Sequence, residues 1–132
     1  MNKFFLTRRE EFRAVARRGR RKTGVFWSLR YKPVKLANMQ PEDAKPAARF
    51  AVSVSKRHLR RASRRNRLRR VLRESFRQVW ANELFACDYI VASASAFAKS
   101  GEDELRDECR RLLNEASAVI ALKSRNRQKH KS

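Results

Sequence analysis

RRASRRNRLRRVLRESFRQVW, residues 60–80, sets nine arginines among twenty-one positions against a single glutamate, Glu74. Wound at 100 degrees per residue, Leu68, Val71, Leu72, Phe76, Val79 and Trp80 gather on one side, which predicts a helix from an N-cap at Ser63 to about Ala81. The opposite side carries Asn66, Arg70, Arg73 and Arg77, flanked by Arg67 and Arg69. Arg65 falls nearer the apolar edge, where it must bend outward or belong to the first turn. One side of this helix therefore needs a core to lie on, and the other needs solvent or a partner.

The neighbouring segments supply that core. Before the helix, Phe50, Val52 and Val54 alternate with Ala51, Ser53 and Ser55, the period of a strand with one buried face. After it, CDYIVAS at 87–93 reads as another strand, so a βαβ crossover is available. Nearer the start, Thr7 and Glu10 form a capping box for a short helix to about Arg18 that buries Phe12, Val15 and Ala16 and stops at Gly19. A basic turn, RRGRRKTG, leads into a strand at 25–31 through Val25, Trp27, Leu29 and Tyr31. All three prolines lie in the connection 32–48. Ser100 and Asp103 open a final helix striped with Leu105, Cys109, Leu112, Leu113, Ala116, Val119 and Ile120. The order predicts an α+β fold with helices covering one face of a small sheet: one domain over 1–122 and a basic, flexible tail over 123–132.

Composition narrows the function. The 132 residues include 34 lysines and arginines against 13 acids, a formal charge of +21, with 42% hydrophobic residues. That balance describes a folded chain that repels itself unless an anionic partner neutralises it. The first residues, MNKFFLTRREEF, hold too short an apolar run for a signal-peptide core or a membrane span. Cys87 and Cys109 make neither a CxxC pair nor a disulfide framework, and read as reduced cytosolic thiols. His58 and His130 do not suggest zinc. GEDELRDE at 101–108 places its carboxylates where they oppose a helix macrodipole, which accounts for them better than magnesium does. No HExxH, P-loop or GxSxG arrangement is present, so no hydrolytic centre is expected on the protein.

The interval from Lys56 to Arg73 holds ten lysines or arginines and no acid. A solvated charged face normally interleaves signs, and this one gains nothing from helical ion pairing. Guanidinium groups donate in pairs to phosphate, while Asn66 offers one donor and one acceptor at a fixed place. Backbone donors near Ser63 add to the anion-binding character. A polyanion surface follows, although composition leaves a structural RNA-binding protein and a duplex-reading DNA helix open. A second surface can be built from Phe12, Val15, Phe26, Trp27 and Tyr31 with Arg13, Arg17 and Arg30, if some of those aromatics line a groove for single-stranded bases rather than the core.

The stretch AVSVSKRHLRRASRRNRLRRVLRESFR, residues 51–77, resembles the bacterial ribonuclease P protein component. Arg65-Asn66-Arg67 followed by Leu68-Arg69-Arg70 and Leu72-Arg73-Glu74 carries most of the likeness, with Val52 to Arg57 before it. Weaker matches at Leu6-Thr7, at Asp88 to Val91 and in the last helix extend it over most of residues 5–120. The resemblance implies a small α/β sandwich with a left-handed βαβ crossover, against the usual hand. It implies a cytoplasmic protein that assembles one-to-one with a catalytic RNA, itself monomeric, and supports removal of the 5′ leader of precursor tRNA. Catalysis would lie with RNA-bound magnesium. By position, RNA contacts fall on Lys56, Arg57, Arg60, Arg61, Arg65, Asn66, Arg67, Arg69, Arg70 and Arg73. The leader groove falls on Phe12, Arg13, Val15, Arg17 and Trp27. Two positions depart from the family pattern: Ala16 stands where an aromatic is common, and Ser93 where a basic residue is common.

Overall fold

A computed structural model describes residues 5–6, 9–33, 48–95 and 101–130, with side chains of the last helix through residue 123. In it α1 (Arg9–Arg18) is followed by β1 (Arg20–Thr23), β2 (Trp27–Pro33), β3 (Arg49–Ser53), α2 (Ala62–Ser75), a π-helical turn (Phe76–Trp80), α3 (Ala81–Glu83), β4 (Cys87–Ser93) and α4 (Glu102–His130). Among the described residues the strands form one mixed sheet in the order β1-β2-β4-β3, in which β1–β2 and β2–β4 are antiparallel and β3–β4 is parallel. Thr7 and Ser100, the cap residues of the two expected capping boxes, and most of the proline connection lie outside the described residues.

Register divides the sheet into two unlike faces. Leu29 pairs with Val91 and Val91 with Val52, while Tyr31 pairs with Tyr89 and Tyr89 with Phe50. These residues and Trp27 are buried, and they join Leu68, Leu72, Phe76, Leu105, Cys109, Leu112 and Leu113 in one continuous core. Phe50 stacks on Phe76 with ring centroids 4.8 Å apart, and the Trp27 indole Nε1 donates to the Leu105 carbonyl at 2.8 Å. The expected βαβ unit, β3–α2–β4, thus lays the apolar side of the arginine-rich helix on the sheet beside α4.

The other face aligns Ser28, Ala92 and Ser53, then Arg30, Ile90 and Ala51, then Lys32, Asp88 and Arg49. Only α1 covers it. Val15 is fully buried there, outside the main apolar cluster. Arg30 Nη1 donates to the Ala16 carbonyl at 3.1 Å. Arg49 forms a two-point ion pair with Asp88, at 2.8 and 2.9 Å, and reaches Glu11 on α1 at 3.2 Å. The bond to Asp88 is the main cause holding the Arg49 guanidinium above its ordinary pKa. Gly19 ends α1 as expected; its N–H donates to the Val15 carbonyl at 2.8 Å, and a Cβ there would collide with the same oxygen.

Four sequence expectations need correction. Residues 20–23 are an edge strand rather than a turn; their charged side chains hide strand character and suit an edge that must not pair with other chains. Val25 is 68% exposed because β2 starts later, at Trp27, and Val25 belongs to the hairpin loop. Ala16 is exposed. Ser63 is not the cap: Arg61 occupies that position and makes no side-chain capping bond. A further difference arises at the π turn, where the Ala81 N–H donates to the Phe76 carbonyl five residues back. The wider turn shifts the helical phase, so Phe76 and Trp80 stay buried while Val79, expected inside, is 47% exposed.

The hairpin loop is clamped by one carboxylate. Glu108 on α4 is buried and accepts N–H bonds from Val25 at 2.6 Å, Phe26 at 2.7 Å and Trp27 at 2.9 Å. A Cβ on Gly24 would come within 2.8 Å of that carboxyl, so glycine is required there for close approach. Replacing Glu108 with alanine strands three donors and should cost about 3 kcal/mol or more, read as a lower urea midpoint; Glu108→Gln should retain part of the loss. Burial raises the Cys87 thiol from 9.0 to about 12 and the fully buried Cys109 thiol further still. Both should resist alkylation in the native protein at pH 8 and react once it is unfolded. Because the unfolded chain releases these protons near 9 and the folded chain does not, their contribution to stability is intact below pH 9 and declines as pH rises from there toward 12.

Candidate nucleic-acid interface

The outer side of α2 follows directly from the burial of Leu68, Leu72 and Phe76. With those inside, Asn66, Arg67, Arg70, Arg73 and Arg77 are exposed and Arg69 is half-buried. Arg69 Nη2 donates to Asn66 Oδ1 at 2.7 Å, which occupies the oxygen and leaves the amide N–H groups as the side chain's donors. Arg67 Nε meets Glu102 at the start of α4, 3.1 Å away. Among the described residues, Arg70, Arg73 and Arg77 have no carboxylate within ion-pair distance.

The approach to the helix continues the same surface. Lys56, Arg57, Arg60, Arg61 and Arg64 are exposed and likewise without ion-pair partners among the described residues. The first turn of α2 contains no acid and no side-chain cap. Its leading amides therefore face outward amid cations, a favourable setting for an anion.

Arg65 takes the second of the two alternatives the sequence left it: it lies in the first turn of α2, its N–H bonded to the Arg61 carbonyl at 3.1 Å. It bends inward, is 8% exposed, and Nη1 donates to the carbonyls of Leu59 at 2.8 Å and Arg60 at 2.7 Å. A carbonyl pair that would otherwise lack donors thus holds the basic loop against the helix. Sequence spacing indicated the odd direction of Arg65, but not the two oxygens waiting for it. Ser93, one of the departures from the family pattern, also secures this loop. Its Oγ accepts the Ser55 N–H at 2.8 Å and lies 2.7 Å from His58 Nδ1. Nothing in the strand pattern of 87–93 pointed to that contact.

The second expected surface lies on the sheet face beneath α1. Arg13 and Arg17 are exposed there and Phe12 is half-buried, beside a floor of small side chains at Ala51, Ser53 and Ala92. Val15 and Trp27 are fully buried and line no open groove. Val15 anchors α1 on its sheet face, and Trp27 belongs to the opposite one, under α4. The two surfaces are thus on different faces of the molecule, joined through β3 and the loop 54–61.

Among the described residues no three His, Cys, Asp or Glu side chains cluster as metal ligands. No helix of the described residues is long and apolar enough to cross a membrane.

Comparison with known proteins gives one consistent match. The profile of the family described as Ribonuclease P matches residues 1–117. The ribonuclease P protein component of Xanthomonas campestris is 34% identical over 97 residues, covering 74% of this chain and 65% of that protein. The corresponding component of Carboxydothermus hydrogenoformans is 30% identical over 127 residues, covering 96% and 97%. The chain thus spans just under two thirds of the Xanthomonas campestris protein and nearly all of the other. Among solved structures, the RNase P protein of Staphylococcus aureus superimposes with a TM-score of 0.69 at 18% identity, over 86% of this chain and 94% of that one. The RNase P protein of Thermotoga maritima gives 0.65 at 19%, over 84% and 96%. These likenesses are of fold.

The two kinds of arginine on α2 should separate in a stability measurement. Arg65→Ala should lower unfolding free energy by about 1–3 kcal/mol through two orphaned carbonyls, whereas Arg73→Ala should stay within about 0.5 kcal/mol. Chemical denaturation of the two variants checks this.

Proposed function

The chain belongs to the bacterial ribonuclease P protein family, and from that membership we propose that it is the protein subunit of a ribonucleoprotein endonuclease. It binds a catalytic RNA and the 5′ leader of precursor tRNA, and supports removal of that leader. One observation carries the reading: Arg70, Arg73 and Arg77 stand in line on an exposed helix face without a carboxylate partner among the described residues. Such a face is costly alone and useful against phosphates.

Lys56, Arg57, Arg60, Arg61, Arg67, Arg69, Arg70 and Arg73 are the RNA contacts of this reading, with Asn66 among them and Arg65 holding the loop that presents them. Phe12, Arg13 and Arg17 serve the leader, on the face of the sheet that α1 only partly covers. Cations along both surfaces lower the repulsion between RNA strands brought together for cleavage. The magnesium of this reaction is assigned to the RNA component or the RNA–substrate complex, as the family resemblance implies. No proton transfer or nucleophilic attack is assigned to a protein side chain. The same reading takes the β3–α2–β4 crossover as left-handed, the chain as a monomer before assembly, the holoenzyme as one-to-one, and the site of action as the cytoplasm.

Reconstitution tests it. Added to its cognate RNA at limiting magnesium, the purified chain should accelerate precursor-tRNA cleavage, with protein alone inactive. The pair Arg70→Ala and Arg73→Ala should weaken binding and lower the slope of log affinity against log salt by about 0.7–0.9 per lost phosphate contact. Unchanged cleavage and an unchanged salt slope would remove the assignment.

A further inference from the structure

Phe5 and the outer side of α2 enclose an open hollow of about 550 Å³. We propose that this hollow takes one unstacked nucleotide of the bound RNA, with the Phe5 ring as its stacking surface. The proposal rests on the RNA-binding reading above and specifies what one part of that surface recognises.

Phe5 is held rather than loose. Its backbone forms a parallel bridge to Phe50, and the next N–H, of Leu6, donates to the Phe50 carbonyl at 3.1 Å. The ring leans on Phe76, centroids 6.3 Å apart and tilted 43°. It is half-buried against the core and also lines the hollow. An aromatic fixed from behind and open in front is the arrangement on which single-stranded bases stack.

The remaining wall separates a nucleotide site from a plain phosphate groove. Arg70, Arg73 and Arg77 line it as donors, spread over about 10 Å of helix, and suit the sugar–phosphate chain at the rim. Glu74 lines it too. It sits four residues after Arg70 and three before Arg77, spacings at which helical ion pairs form. Yet no ion pair to Glu74 occurs among the described residues. A carboxylate repels phosphate, so in a purely backbone-binding groove it is a defect. Beside a stacked base it is an acceptor for ring or exocyclic N–H groups. Asn66, whose Oδ1 is already taken by Arg69, supplies the complementary donors. The volume falls in the range of sites for small ligands, and a paired base, stacked on both sides, cannot present its face to Phe5.

The test uses the full chain and two probes: a short single-stranded oligoribonucleotide of mixed sequence, and the same strand annealed to its complement. Phe5→Leu, which keeps an apolar contact with Phe76 but no ring, should weaken single-strand binding about tenfold and leave duplex binding unchanged. Phe5→Trp should preserve both. Ultraviolet crosslinking of the unaltered chain to the single strand, mapped by mass spectrometry, should place an adduct on Phe5. Equal affinities for the single strand in Phe5→Leu and the parent, a parallel loss for both probes, or adducts that omit Phe5 would each overturn the nucleotide site while RNA binding through the arginines stands. If Arg70→Ala with Arg73→Ala leaves both affinities unchanged, the RNA-binding reading falls, and this proposal with it.

Discussion

Three consecutive backbone amides, from Val25 to Trp27, converge on the Glu108 carboxylate, and much of the architecture depends on that convergence. A hairpin loop normally turns its amides to water. Here α4 supplies a buried anion instead, which draws the loop down until only a glycine fits at position 24. With the loop held, Trp27 is set beneath α4, its indole bonded to the Leu105 carbonyl. Beyond Trp27, β2 runs in register with β4, and β4 in turn with β3. The core face of the sheet is therefore set against α4, and α2 adds its own apolar side to the same cluster. A charged group buried in this way is favourable only because every hydrogen bond it needs is made.

The same economy governs the arginines. Arg49 and Arg65 are consumed by the fold, one tying α1 to the sheet through Asp88 and Glu11, the other closing two loop carbonyls. Arg67 is shared with α4 through Glu102. What remains, beyond Arg64 in the first turn, is a line of guanidinium groups at Arg70 and Arg73 on α2 and Arg77 in the π turn, interrupted by one acid and bordered by Phe5. Charge alone would make a general polyanion surface. The carboxylate and the ring are what give it a shape that distinguishes one nucleic-acid form from another.

Much of this was legible in the chain. The stripe from Leu68 to Trp80 placed the arginine-rich helix and its two sides, because burial of Leu68, Leu72 and Phe76 leaves Asn66, Arg70 and Arg73 no direction but outward. The strand at 87–93 and the face of Phe50 and Val52 were likewise set by period. The exceptions have physical causes. Arg20 to Thr23 pair as an edge, where side chains need not alternate in polarity. Val79 turned outward because one backbone bond slipped from four residues to five, a choice no propensity records. Ser63 was passed over as cap, since the chain enters α2 earlier, with Arg61 at the cap position. Arg65 carried two candidate placements and Trp27 two candidate roles, and the partners that hold them, Leu59, Arg60 and Leu105, are contacts of the fold rather than of the pattern. Phe5 carried no periodic signal at all.

The unequal covering of the sheet divides the molecule's stability. On one side Trp27, Phe50, Tyr89 and their partners lock into a common cluster with α2 and α4. On the other, α1 rests on the Val15 anchor, a hydrogen bond from Arg30 and the reach of Arg49 to Glu11, outside that cluster. A helix held by so few anchors is expected to open as a unit with its own, smaller free energy while the rest stays packed. Amide hydrogens along α1 would then exchange with solvent sooner than those of β4. The floor of Ala51, Ser53 and Ala92 would widen each time α1 lifts, so a chain of variable bulk could be admitted without disturbing the scaffold behind it.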